Sequence, residues 1–155
     1  MSGNVKVAGV GMIPFTKPGK SDPFDVMGAT AARLAIEDAG LGYDAIQQAY
    51  VGYVYGDSTC GQAAIYRLGT TGIPVINVNN NCSTGSSALY LARQAVESGM
   101  VDCALALGFE QMTPGALGAV FSDRPSPMKR FYLERKTLQE GDKRAPCLLY
   151  TTDAA

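Results

Sequence analysis

The order of apolar runs and helix-period segments predicts an α/β protein with a mostly parallel sheet. Three observations carry the prediction. Short β-branched or apolar runs occur at Val5–Val10, Ala49–Tyr55, Val75–Val78 and Cys103–Phe109, segments of helical period lie between them, and glycine or proline stands at the joints. Strands that alternate with helices pair in parallel through right-handed crossovers, with helices on both faces of the sheet. The expected order is βαβαβαβ.

Each element has its own local reason. Val5–Val10 reads as a strand ending at Gly11, after which Asp22 and Pro23 form an N-cap with proline in the first helical turn. That helix is expected to run to about Ala39. Its apolar stripe is Phe24, Met27, Ala31, Leu34 and Ala35, Arg33 and Glu37 lie outside it, and Gly40 suits a left-handed cap. The run Gly9, Val10, Gly11 suggests a dinucleotide fingerprint, but Pro14 occupies the place of the third glycine, so that reading is rejected. In Ala49–Tyr55 the tyrosines Tyr50, Tyr53 and Tyr55 are strand-formers and packing groups. A short helix follows at about Gln62–Leu68, broken by Gly69, Gly72 and Pro74. Ser83–Ser98 is a helix apolar nearly all round, stopped by Gly99. Cys103–Phe109 is a continuous apolar strand with Cys103 as buried filler and Glu110 at its polar end.

Composition narrows the function classes. The chain has 155 residues, 46% of them hydrophobic and 17% charged, which allows one domain with a real core. A net charge of −1 leaves no electrostatic footprint for nucleic acid, and no apolar run approaches the ~18 residues needed to span a bilayer. Met1–Met12 does not read as a signal peptide, because Lys6 interrupts it. Cys60, Cys82, Cys103 and Cys147 have neither metal-ligand spacing nor the density of a secreted disulfide scaffold, so no metal site and a reducing compartment are expected. The chain contains no histidine, the usual base near neutral pH.

Chemistry concentrates at one corner. The run Ile73 to Val78 ends in Asn79, Asn80, Asn81 and Cys82, and a helix starts immediately behind it. The unpaired N–H groups and partial positive charge of a helix start favour a thiolate at Cys82. Ser83, Thr84 and Gly85 are small enough for an acyl group to approach, and the N–H of Cys82 would donate to an oxyanion forming on the attacked carbonyl. Core filling is the competing reading for any free cysteine, but a strand-to-helix corner is where α/β proteins expose chemistry. Cys82 is the candidate nucleophile.

This corner, the segment Val51–Gln62, the segment Leu105–Met112 and the loop Phe121, Ser122, Asp123, Arg124 together resemble the thiolases. The likeness runs from about Val5 to Arg124. It implies a thiolase-like fold, here an incomplete amino-terminal βαβαβαβ half, in which two related halves enclose buried helices. It implies that Cys82 takes up an acyl group from a 3-ketoacyl-CoA, that acetyl-CoA leaves, and that free CoA collects the shortened chain. Coenzyme A thioesters would then be substrates, with no cofactor bound tightly. The family's histidines, second acid/base cysteine and most of its CoA-binding loop find no counterpart, so a truncated isoform with little turnover is expected. A ketoacyl synthase fits the Cys82 corner but not the tyrosine-glycine segment or the Ser122, Asp123, Arg124 stretch.

The resemblance also bears on organisation and partners. Residues 1–124 are expected to form the thiolase-like domain and 125–155 a divergent, poorly ordered tail, with disorder or a poorly packed helix around Arg130–Gln139. Val75–Val78 resembles the family's dimer-forming edge, which implies a homodimer or a heterodimer with an intact thiolase. Non-catalytic pairing and an acyl-CoA-binding module are the alternatives to catalysis. Peroxisomal placement follows from the resemblance, although Thr151–Ala155 is no peroxisomal address; a cytoplasmic site is the other expectation.

Overall fold

The computed structural model describes residues 5–114, 121–127 and 129–138. The chain divides into two units, Met1–Pro114 and Gly115–Ala155. In the first, β1 (Gln48–Gly52), β2 (Val75–Val78) and β3 (Ala104–Gly108) form one parallel sheet in the order β2-β1-β3. Tyr50 lies opposite Ile76 and Ala106, and Gly52 opposite Val78 and Gly108. Helices α1 (Phe24–Ala39) and α2 (Cys60–Ile65) pack on each other over one face, while α3 (Thr84–Glu97) covers the other. The α/β class and the parallel pairing are as expected.

Period-two alternation sorts the strand side chains between the two helical layers. Ala49, Val51, Leu105 and Leu107 join Ala32, Ala64 and Ile65 in one core. Tyr50, Ala104, Ala106, Ile76 and Val78 meet Ala88, Ala92 and Ala95 of α3 in the other. Val51 and Ile65 are wholly buried, and each contributes about 1.5–3 kcal/mol by leaving water. Of the three tyrosines read as strand-formers and packing groups, Tyr50 lies in β1 and Tyr53 just beyond it, both buried, with hydroxyls that reach Gln48 Oε1 at 2.8 Å and the Asp57 carbonyl at 3.0 Å, whereas Tyr55 lies past the strand and is half-buried.

The first element departs from expectation. Residues 5–10 form no strand; Gly9 and Gly11 lie against α1, and the Val10 N–H donates to Asp38 Oδ2 at 2.9 Å. A Cβ at Gly9 or Gly11 would meet the Ala35 or Ala31 carbonyl oxygen, so these glycines let the segment lie against the helix backbone. The stripe of α1 is borne out in part. Met27, Gly28, Ala29 and Ala32 are its buried residues and Phe24 and Ala31 pack against the core, whereas Leu34 is 40% exposed. Gly28 is the closest point, where an added Cβ would come 2.9 Å from Phe109 and 3.1 Å from Ala64. Pro23, not Asp22, takes the N-cap position, and Gly40 closes the helix in the left-handed conformation at φ 65°.

Smaller corrections follow from cap geometry. Helix α2 begins at Cys60, earlier than expected, and ends at Ile65, because Arg67 N and Leu68 N bond back three residues and tighten the last turn. Helix α3 is less enclosed than its apolar sequence suggests. Thr84, Ala88, Ala92 and Ala95 are buried, but Leu89 is 57% and Tyr90 58% exposed.

In the second unit the described part is 121–127 and α4 (Lys129–Leu138). Arg124 pairs with Asp123 at 2.9 Å and lies 4.3 Å over the Phe121 ring. Side chains 129–134 are exposed, and Arg130 pairs with Glu134 one turn on. Cys147 and the expected tail beyond 138 lie outside the described residues. No helix among the described residues is long and apolar enough to cross a membrane.

Candidate active site

The corner at Cys82 is held by its own polar side chains. Thr84, buried to 5% exposure, accepts from the Asn80 N–H at 2.8 Å through Oγ1 and donates to the Asn81 carbonyl at 2.5 Å. Ser83 N and Ser83 Oγ both donate to the Asn80 carbonyl, at 3.1 and 2.9 Å, and Asn80 Nδ2 donates to Ser87 Oγ at 2.8 Å. Asn81 takes φ 47°, a left-handed conformation that asparagine tolerates better than most residues. The chain therefore turns sharply between β2 and α3. Cys82 stands exposed at the turn, one residue ahead of the Ser83 N-cap.

Gly52 sets the helix start on the sheet. A Cβ at Gly52 would lie 2.6 Å from Thr84 Cγ2 and 2.9 Å from the Thr84 carbonyl, so only glycine lets the first turn of α3 rest on the end of β1. At the end of β3 a Cβ on Gly108 would come 3.7 Å from Gly85 Cα. Beside Cys82, Gly85 itself would meet nothing within 4 Å, which leaves room over the first turn. Cys82 thus sits just beyond the carboxyl ends of parallel strands, the position where open α/β sheets bind ligands.

Neighbouring side chains stiffen the surroundings. The Tyr53 and Phe109 rings stack at 5.3 Å and Phe24 and Phe109 at 5.5 Å, joining β1, β3 and α1. Asn77 Oδ1 accepts from Gly61 N at 2.9 Å and Asn77 Nδ2 donates to Gln62 Oε1 at 2.7 Å, tying the β2 edge to α2. Cys60, for which the sequence suggests no role, is only 7% exposed. Burial pushes its thiol up, and the Asp57 charge adds to the shift, so Cys60 is not a reactive thiolate.

Sequence reasoning missed one residue of the surroundings. Glu110 marks the polar end of β3, yet its carboxylate accepts from two consecutive backbone groups, Val54 N on Oε2 and Tyr55 N on Oε1, both at 2.9 Å. The available signal was a lone acid immediately behind an apolar strand. Nothing local predicts its partners, which lie 56 and 55 residues earlier.

Comparison with known proteins bears on the family and the fold. The chain is 57% identical over 129 residues to sterol carrier protein 2 of Oryctolagus cuniculus and 56% identical over 132 residues to that of Gallus gallus. The matches cover 81% and 84% of this chain but 24% of each relative, so it spans about a quarter of their length. Among solved structures, the priming β-ketosynthase of the R1128 polyketide biosynthetic pathway superposes with a TM-score of 0.55 at 28% identity, over 59% of this chain and 28% of that one. The thiolase N-terminal domain matches residues 5–140, past Arg124, where the likeness was expected to stop. With the Cys82 corner seated over the strand ends, that match makes the chain a member of the thiolase family through its N-terminal domain.

Proposed function

We propose that these 155 residues carry the acyl-accepting half of a thiolase-type acyltransferase acting on coenzyme A thioesters in lipid metabolism. The observation that carries the reading is the exposed Cys82 at a strand-to-helix turn over the carboxyl ends of β1 and β3. The thiolate of Cys82 attacks the 3-keto carbon of a 3-ketoacyl-CoA, a C–S bond forms, and the C2–C3 bond breaks to release acetyl-CoA. Its carbanion needs a proton, and free CoA must then lose one to collect the acyl group. No histidine is present to handle either, and both oxygens of Glu110 are already engaged by N–H groups. Acylation of Cys82 without sustained turnover is therefore the activity assigned to this chain alone.

The test is to incubate the chain with acetyl-CoA and with acetoacetyl-CoA and locate the acyl group by peptide mass spectrometry. Acetyl on Cys82, absent in Cys82→Ala, is the expected result; an unmodified Cys82 at saturating thioester refutes the reading. A second reading, pairing with a second thiolase chain, draws on the position of β2 at the edge of the sheet and on the exposed Leu89 and Tyr90 of α3. Co-expression with an intact thiolase followed by size-exclusion chromatography decides it, since a co-eluting complex is required.

A further inference from the structure

The hydrogen bonds of the Glu110 carboxylate join the chain beyond β3 to the chain beyond β1. Glu110 leaves the end of β3, and its two oxygens take the N–H groups of Val54 and Tyr55, which leave the end of β1. The two chain ends already adjoin, since Phe109 N donates to the Gly52 carbonyl at 3.1 Å. They also carry the first turn of α3, through Gly52 against Thr84 and Gly108 against Gly85. Beside the strut lies a hollow lined by Ser21, Tyr55, Gln111 and Met112, and Gln111 Oε1 accepts from Phe24 N at 3.0 Å. We infer that Glu110 is a positioning residue for acyl transfer at Cys82: it fixes the Val54–Tyr55 rim of the site and handles no proton. The inference rests on the reading of Cys82 as the nucleophile.

The chemistry favours this role over that of a base. A carboxylate with a backbone N–H on each oxygen is held by two charge-assisted bonds, which are roughly twice as strong as neutral ones, and moving it to a thiol would leave two half-buried donors unpaired. What such an acid does well is keep two loops in one arrangement, and a fixed rim is what alignment of a thioester demands.

The experiment compares the full chain with Glu110→Gln. Glutamine has the same length but turns one acceptor into an NH2 donor that faces a backbone donor. Acetyl-CoA is the probe, its acetyl group passing to the Cys82 thiolate as the CoA thiolate leaves. Three readouts are taken: acetyl transfer to Cys82, iodoacetamide alkylation of Cys82 and Cys60, and amide hydrogen exchange at Val54 and Tyr55. The expected result is acetyl transfer slower by about tenfold, faster exchange at the two amides, unchanged alkylation of Cys82 and no labelling of Cys60. Equal acetyl transfer in the two proteins overturns the inference, and so does unchanged exchange at Val54 and Tyr55. Loss of transfer together with alkylation of Cys60 also overturns it, because the loss then reports unfolding. If the unsubstituted chain takes no acetyl group while its Val54 and Tyr55 amides are protected, the nucleophile reading itself has failed.

Discussion

Replacing Gly52 with alanine places a methyl group where the first turn of α3 sits on β1. The new carbon would lie 2.6 Å from Thr84 Cγ2, 2.9 Å from the Thr84 carbonyl oxygen and 3.0 Å from its carbon, against an optimum of about 3.5–4.0 Å between carbons. Thr84 cannot swing away cheaply, because its Oγ1 holds both Asn80 N and the Asn81 carbonyl and each bond contributes about 1 kcal/mol. The helix start must shift or those bonds must break, so a destabilisation of about 2–3 kcal/mol is expected. Cys82 belongs to the same turn, and its acetylation should slow with it. Urea denaturation followed by circular dichroism measures the first effect, and peptide mass spectrometry after acetyl-CoA treatment the second. Gly85→Ala is the control of opposite sign: its Cβ meets nothing within 4 Å and alanine is the better helix former, so stability should rise by up to about 1 kcal/mol. A Gly52→Ala protein as stable and as readily acetylated as the parent would refute the argument that this glycine seats the nucleophile's helix.

Cys82→Ser should leave stability within about 0.5 kcal/mol, because the side chain is exposed, while abolishing acyl labelling; a large fall in the urea midpoint contradicts the surface placement. In native protein iodoacetamide should modify Cys82 and spare Cys60, with Cys60 labelled only in denaturant, which peptide mapping shows directly. Burial raises the folded-state value of the Cys60 thiol, so its contribution is full below the unfolded thiol value of about 8.5 and is lost as pH climbs above it, when the unfolded chain ionises first. Stability should therefore decline above about pH 8.5, and Cys60→Ala should flatten that part of the profile measured by urea midpoints. Asp25 has the reverse sign. The hydrogen bond and charge of Arg67 at 2.7 Å hold its carboxyl below the usual range, so its contribution is present above about pH 4 and lost on acidification. Arg67 is half exposed, so Arg67→Met should cost under about 1 kcal/mol near neutral pH and nothing measurable in acid.

Much of the site was legible because its signals are local. A β-branched run, three asparagines, one cysteine and a small-residue helix start identify the Cys82 corner without any distant contact. Gly40 was legible as a cap for the same reason, since a left-handed residue at a helix end depends only on its own chain. Glu110 was not, because its meaning lies in two amides 56 and 55 residues away. Cys60 could be judged inert only once α2 and Tyr53 closed around it.

The sequence by itself determined the α/β class, the parallel strands β1 to β3, the long helices α1 and α3 and the cysteine at the turn. These rest on periods of 2 and 3.6 and on caps, which are set by hydrogen bonding within a few residues. Only the tertiary structure decided that residues 5–10 form no strand while Gly9 and Gly11 lie against α1, that α1 buries Gly28 and Ala32 while Leu34 stays exposed, and that Glu110 braces the rim beside the Cys82 corner. An apolar run can satisfy its backbone against any available partner, and an alanine-rich helix offers more than one face that packs closely. Which option wins is fixed by shapes and hydrogen-bonding groups contributed from elsewhere in the chain.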